Sequence, residues 1–403
     1  MSITFAQRIE RVKPSAIREL LRLGADPSVV SFGGGYPDPA LFPVDGLREV
    51  YSELLVDEGR NHLQYTESVG TAKLRERIAA LVQADGIDAA ASDVLVLQGA
   101  QQGLDLVAKL LIDKGQTVVT ENPTFLGAIV AFNPYEPNYR PIDSDDEGMR
   151  ADLLEEVLRS DPSVRFIYLI PDFQNPSGAS MSLARRKQIV ALAQKYDVLI
   201  LEDSPYRALR YEGESIPTIY SLDDSGRVIN LGSFSKTLAP GMRLGWALAP
   251  EEILDKLILL KLAADTQSST LNMAAAAAFL DRFDLDAHVV GARDAYRRKR
   301  DIMLEAMEAH FPSSVKFTRP KGGLFVWVEF PHGFDAAAFM AERALPEAKV
   351  AYVPGDSFFA TGSHPNFARF SYSGVPDEVM KQSIAKLGAL LTDELSKGTR
   401  EHA

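Results

Sequence analysis

The chain has 403 residues, no cysteine and a formal net charge of -12. That length exceeds one compact core of ordinary size and predicts two domains, the missing cysteine excludes disulfides, thiolate catalysis and cysteine-based metal sites, and the acidic balance speaks against a nucleic-acid backbone as partner. Apolar residues make up 46% and charged residues 24%, no apolar run is long enough to cross a membrane, the start lacks the apolar stretch of a signal peptide, and the six histidines show no ligand spacing, so a cytoplasmic enzyme without a metal is expected.

Residues 1–45 are poor in periodic structure and rich in Gly and Pro, notably from Phe32 through Gly33, Gly34, Gly35 and Tyr36 to Pro37. Within them, Ser15-Ala16-Ile17-Arg18-Glu19-Leu20-Leu21 begins like an amphipathic helix. From 46 to about 290, short apolar runs alternate with helical patterns. Val94–Leu97, Thr117–Thr120, Phe166–Ile170 and Val198–Leu201 read as strands, and 103–112 and 183–196 read as helices. The alanine run 274–278 reads as buried helix. This alternation predicts an α/β fold, a mostly parallel sheet covered by helices on both faces. After 290 the pattern changes to a charged helix over 293–310, strand patterns over 323–329 and 368–372, and a closing amphipathic helix over 377–395. The expected organisation is an N-terminal segment 1–45 joining a small α+β domain at 291–403, with a large domain at 46–290 between them.

Polar signals fall just after the apolar runs, where open α/β sheets place ligands. Gln98-Gly99-Ala100-Gln101-Gln102-Gly103 lies between a strand and a helix, and its small residues let backbone N–H groups and the helix dipole face an anion. In Pro171-Asp172-Phe173-Gln174-Asn175-Pro176, Asn175 is held out of the helical region by the following proline, which frees its amide for a ligand. Asp203, in Glu202-Asp203-Ser204-Pro205-Tyr206, is an acid at a buried strand end and needs a partner: a pyridinium N–H is suited, and a helix N-cap or a structural ion pair is the alternative.

The most informative stretch is Ser233-Phe234-Ser235-Lys236-Thr237-Leu238-Ala239-Pro240-Gly241-Met242-Arg243. Its hydroxyls and guanidinium suit a phosphate, and its lysine amine suits a Schiff base with an aldehyde. A phosphate and an aldehyde on one small molecule describe pyridoxal phosphate. Asn175, Asp203 and Lys236 are 28 and 33 residues apart, each about one strand-helix unit, and their joint occurrence in this order is far more specific than any one of them.

On these motifs the chain resembles the pyridoxal-phosphate-dependent aminotransferases of fold type I, class I/II, and within them the 2-aminoadipate (LysN-like) branch. Phe32–Pro37, Leu63-Gln64-Tyr65, Glu121–Phe125, Pro320–Trp327, Val353-Pro354-Gly355 and Asn366–Phe370 extend the resemblance over nearly the whole chain. It implies a large domain around a seven-stranded, mostly parallel sheet. It also implies a homodimer with shared active sites, in which Tyr65 reaches the phosphate of the neighbouring subunit.

By the same resemblance, Lys236 carries the cofactor and moves protons, and Asp203 pairs with the pyridine nitrogen. Asn175 and Tyr206 hold the ring hydroxylate, and Phe125 stacks on the ring. Gly99, Ala100, Gln101, Ser233, Ser235 and Arg243 hold the phosphate. Arg369 holds the substrate α-carboxylate, while Ser15, Arg18, Gly35 and Tyr36 lie near the substrate, with Arg18 reading a side-chain carboxylate. Three positions depart from the pattern: Ala100 stands where serine is common, Phe125 where tyrosine is common, and Tyr36 where the aminoadipate branch often has leucine. The implied activity is transfer of the amino group of an L-α-amino acid (2-aminoadipate, aromatic or aliphatic) to a 2-oxo acid such as 2-oxoglutarate. A β-lyase or decarboxylase on the same fold stays open, since pocket details steer this cofactor's chemistry. A pyridoxal-phosphate-binding regulator is disfavoured, because the acidic chain leaves no room before Ser15 for a DNA-binding motif.

Overall fold

The computed structural model describes residues 3–12 and 26–401. Among them, β1 (Val30–Ser31) precedes the strands of the large sheet. These are β2 (Val94–Leu97), β3 (Thr117–Asn122), β4 (Asn138–Asp145), β5 (Gly148–Met149), β6 (Val164–Leu169), β7 (Leu199–Asp203), β8 (Val228–Ser233) and β9 (Gly245–Leu248). Seven form the central sheet in the order β2-β9-β8-β7-β6-β3-β4, and β5 adds a two-residue eighth strand by folding back on β4. β4, β3, β6, β7 and β8 run parallel, and β9 runs against both β8 and β2.

Every residue of β2 and β8 is buried, as expected for strands covered on both faces. On one face, Val119, Ile167 and Ile200 pack against Leu154 and Ile189 of helices Ala151–Ser160 and Leu183–Tyr196. The latter starts where Ser182 Oγ accepts the Arg185 N–H at 3.1 Å, a cap worth about 1 kcal/mol. On the other face, Leu97, Leu104, Phe132 and Leu231 belong to a core that continues into Trp327, Phe370 and Leu387 of the C-terminal part. Helix Thr270–Arg282 buries Ala275 to Ala278, as the alanine run predicts.

The C-terminal part holds β10 (Lys316–Phe317), β11 (Phe325–Glu329), β12 (Val350–Ala351), β13 (Val353–Pro354) and β14 (Phe367–Ser371). Four of them make an antiparallel sheet in the order β10-β11-β14-β13. β1 pairs in parallel with β12, Val30 opposite Val350, so the N-terminal segment is tied to this part of the chain.

Several elements differ from expectation, among them helix Ala100–Leu111, which begins three residues before Gly103. The charged helix begins at Leu285, not at Arg293, because Asp284 caps it by accepting the Ala287 N–H at 3.0 Å. The last helix continues past Leu395 to Glu401. β4 carries no apolar run at all: it is a largely exposed outer strand containing Pro141, and such strands leave no hydrophobic signature. No helix among the described residues is long and apolar enough to cross a membrane.

Candidate active site

The parallel strands β3, β6, β7 and β8 all point one way, so the segments after Asn122, Leu169, Asp203 and Ser233 gather at one edge of the sheet. The predicted polar signals occupy these segments and the turn after β2.

At the turn after β2, Gly99 has φ of +77° and precedes helix Ala100–Leu111. A Cβ there would stand 2.8 Å from Arg243 Nη2, so only glycine lets the guanidinium lie against this helix start. Arg243, itself left-handed at φ 52°, donates from Nη2 to the Gln98 carbonyl at 3.0 Å. Gly245, paired across the sheet with Ser233, would bring a Cβ within 2.9 Å of the Ala100 amide nitrogen. Ser233 therefore closes the same cradle. Its Oγ donates to Ser235 Oγ at 2.9 Å and accepts the Ser235 N–H at 3.0 Å. Two hydroxyls, a guanidinium and the amides opening a twelve-residue helix could hold a dianionic phosphate.

Phe125 and Gln101 flank this cradle. The Phe125 ring lies over Gly127, whose carbonyl accepts from Gln101 Nε2 at 2.8 Å. The phenyl keeps a stacking face where a phenol was the commoner expectation.

Lys236 follows the cradle. Its Nζ donates to the Gly35 carbonyl at 2.7 Å and lies 6.0 Å from the centre of the Tyr206 ring. Burial, then the Arg369 charge, then that of Arg243, push its amine down to about 8. An amine that sheds its proton near neutrality can act as nucleophile and base.

Asp203 ends β7 and is 2% exposed. Its Oδ2 accepts from the Tyr168 hydroxyl at 3.0 Å, while Oδ1 is buried with no partner among the described residues. Burial pushes the acid up to about 7, with the Glu202 charge adding to it and the Tyr168 hydrogen bond opposing it. A buried carboxylate oxygen left without a donor is costly. A ring N–H cation placed opposite Oδ1 would remove that cost, which is the fit a pyridine nitrogen requires.

Arg369 projects from β14 and is 2% exposed. It donates to Asn175 Oδ1 at 2.8 Å and to the Gly33 carbonyl at 2.6 Å, and its guanidinium carbon sits 4.2 Å from the centre of the Phe325 ring. Its Nε has no partner among the described residues, and burial pushes the group down to about 10. Asn175 Nδ2 in turn donates to the Tyr206 hydroxyl at 3.3 Å, and burial pushes that phenol up to about 12.

Lys236, Asn175, Tyr206, Arg369 and Gly35 thus form one connected cluster, with Asp203 beside it. Tyr36 is 51% exposed and within electrostatic reach of Arg369; its carbonyl accepts from Ser373 Oγ at 2.6 Å. Tyr65 is 80% exposed, and its side chain takes no part in the cluster of its own chain. Ser15 and Arg18 lie outside the described residues. Among the described residues no His, Asp and Glu side chains group as a metal site.

Sequence reasoning missed Tyr168, Phe325 and Glu121. Glu121, buried at the end of β3, accepts the Ile170 N–H at 2.9 Å and is pushed up to about 8 by burial. A tyrosine inside an apolar strand needs a partner for its hydroxyl, and that signal was present at Tyr168.

Comparison with known proteins identifies the family. The profile of the family "Aminotransferase class I and II" matches residues 34–387. The chain is 39% identical to aromatic-amino-acid aminotransferase 1 of Thermococcus litoralis, covering 98% of this chain and 95% of that one. It is 38% identical to the 2-aminoadipate transaminase of Thermus thermophilus, covering 97% of each. Its fold superposes with a TM-score of 0.90 on the crystal structure of LysN, the α-aminoadipate aminotransferase of Thermus thermophilus, complexed with N-(5'-phosphopyridoxyl)-L-leucine, at 37% identity over 97% of this chain and 98% of that one. The chain belongs to the class I and II aminotransferases and is a pyridoxal-phosphate-dependent aminotransferase of fold type I.

Proposed function

We propose that the enzyme moves the α-amino group of an L-amino acid with an aromatic, aliphatic or 2-aminoadipate-type side chain to a 2-oxo acid such as 2-oxoglutarate. The observation that carries this is Arg369. It is a buried guanidinium fixed by Asn175, Gly33 and Phe325, close enough to depress Lys236, with Nε still unpaired. Such a group is built to take a carboxylate next to the lysine.

When bound, pyridoxal phosphate supplies an electron sink conjugated to the substrate's Cα. In this reading Ser233, Ser235, Arg243, Gly99 and the amides of Ala100 and Gln101 anchor its phosphate, and Phe125 covers its ring. Asn175 and Tyr206 donate to its ring oxygen, and Asp203 faces its ring nitrogen. Lys236 Nζ would take and hold the proton from the substrate's Cα. The pairing of β1 with β12 supports a small domain of 291–403 joined by 1–45, with 46–290 as the large domain. The exposed Tyr65 supports a homodimer in which it serves the partner's site. Cytoplasmic residence belongs to the same proposal. So do Ser15 and Arg18 as substrate contacts. Arg18→Ala should weaken acidic donors far more than aromatic ones, and equal losses in steady-state kinetics would contradict that role.

The test is the absorbance of the pyridoxal-phosphate-loaded enzyme during titration with L-2-aminoadipate, glutamate, leucine, phenylalanine, tyrosine and alanine. Conversion of the lysine-bound cofactor band to the aminated cofactor band, reversed by 2-oxoglutarate, is the expected result and ranks the donors. A loaded enzyme that none of the six converts contradicts the proposed donor classes.

A further inference from the structure

We propose that Tyr168 is a positioning residue. Its hydroxyl keeps Asp203 a carboxylate and turns Oδ1 toward the cofactor's ring nitrogen. This rests on the reading above that Asp203 faces that nitrogen.

The geometry comes from strand register. Tyr168 on β6 pairs with Leu201 on β7, and Asp203, two residues further, lies on the same face. The phenol therefore reaches the carboxylate diagonally, and its hydroxyl donates to Oδ2 at 3.0 Å. Both side chains are buried, so water does not compete. Phe132 meets the Tyr168 ring edge-on with centroids 5.5 Å apart, which fixes the ring. With Oδ2 held, Oδ1 is left as the open acceptor.

Charge makes the contact matter. Among the described residues, the other charges and hydroxyls acting on Asp203 and Tyr168 are Glu202, Glu121 and Tyr206, none of them a cation. Burial and Asp203 hold the Tyr168 phenol well above its usual range, so it is always the donor. Among the described residues, Tyr168 is thus the one neighbour that opposes protonation of Asp203. Without it the carboxylate becomes the stronger base of the pair. The proton then leaves the ring nitrogen, an O–H bond forms on Asp203, and a neutral ring is a poorer electron sink.

The experiment is 15N NMR of the enzyme loaded with pyridoxal phosphate labelled at the ring nitrogen, at neutral pH. It compares wild type, Tyr168→Phe, Asp203→Asn and the double variant. We expect a pyridinium shift in wild type, a displacement toward the neutral pyridine range in Tyr168→Phe, and a larger one in Asp203→Asn. The double variant should match Asp203→Asn, because Tyr168 acts through the carboxylate. An unchanged shift in Tyr168→Phe overturns the proposal. So does a double variant displaced beyond Asp203→Asn by the same amount as Tyr168→Phe from wild type. A neutral ring in the wild type overturns the Asp203 assignment itself, and this proposal with it. If Tyr168→Phe does not fold, 3-fluorotyrosine at position 168 keeps the ring and strengthens the donor. It should lower the pH at which the Asp203 carboxyl infrared band of the cofactor-free protein disappears, and no shift overturns the proposal.

Discussion

Asp172 and Asp203 are both buried, one just after β6 and the other ending the neighbouring β7, yet their surroundings are opposite. Asp172 meets Arg186 and Arg210 at 2.8 Å and Arg207 at 3.3 Å. These guanidinium groups hold its carboxyl below the usual range against the effect of burial. Asp203 meets one neutral phenol, keeps one oxygen unpaired and is pushed up to about 7. The first acid is completed by the chain itself. In the proposed function the second is completed by a cationic ligand, which is how burial of a carboxylate becomes a binding site.

The largest expected effect is on the completed acid. Asp172→Asn leaves three guanidinium groups without their buried counter-charge and should cost about 3–5 kcal/mol of stability, read by denaturant unfolding, with or without cofactor. Next comes the incomplete acid. Asp203→Asn should lower the rate of the amino-donor half-reaction by roughly 10²–10³-fold, read by single turnover, while the cofactor-free fold is retained. Similar stability losses for the two variants would break the comparison.

A smaller effect sharpens it with pH. Asp203 and Glu121 have folded-state values raised to about 7 and about 8. Their contribution is fully present below their unfolded values and is lost as pH rises through the folded ones. Lys236, depressed to about 8, changes its contribution only above that value. Between pH ~5 and ~7 the cofactor-free enzyme should therefore lose stability with rising pH, by up to about 1.4 kcal/mol per unit for each of the two acids. The loaded enzyme, with Asp203 paired, should show the shallower slope in thermal unfolding. The smallest effect concerns the other buried charge with an open position. Arg369→Lys keeps the charge and loses the planar fork, so kcat/KM for amino donors should fall about 10-fold while cofactor affinity stays.

The two acids also show what the sequence could disclose. Asp203, Asn175 and Lys236 were legible because each stands just past an apolar run, and parallel strands bring such positions to one edge. Asp172 was only a letter within the Asn175 segment. Its partners Arg186, Arg207 and Arg210 come from a helix and a loop whose approach no local pattern encodes. At Tyr168 the sequence shows only a buried hydroxyl in need of a partner, since which partner it meets depends on the register of β6 against β7. Arg369 came through resemblance, and its contact with Phe325 required the β11–β14 pairing. The sheet itself was recovered from buried runs, while β4 was lost because an exposed outer strand has none.

The most direct test is thermal unfolding of wild type and Asp203→Asn, each with and without pyridoxal phosphate, near pH 8. Ligand that binds only the folded state raises the melting temperature in proportion to its affinity. The account predicts that Asp203→Asn melts no lower than wild type without cofactor and gains much less on adding it. A variant that melts far lower without cofactor, yet gains as much as wild type on adding it, would contradict the assignment of the unpaired Asp203 oxygen to the cofactor.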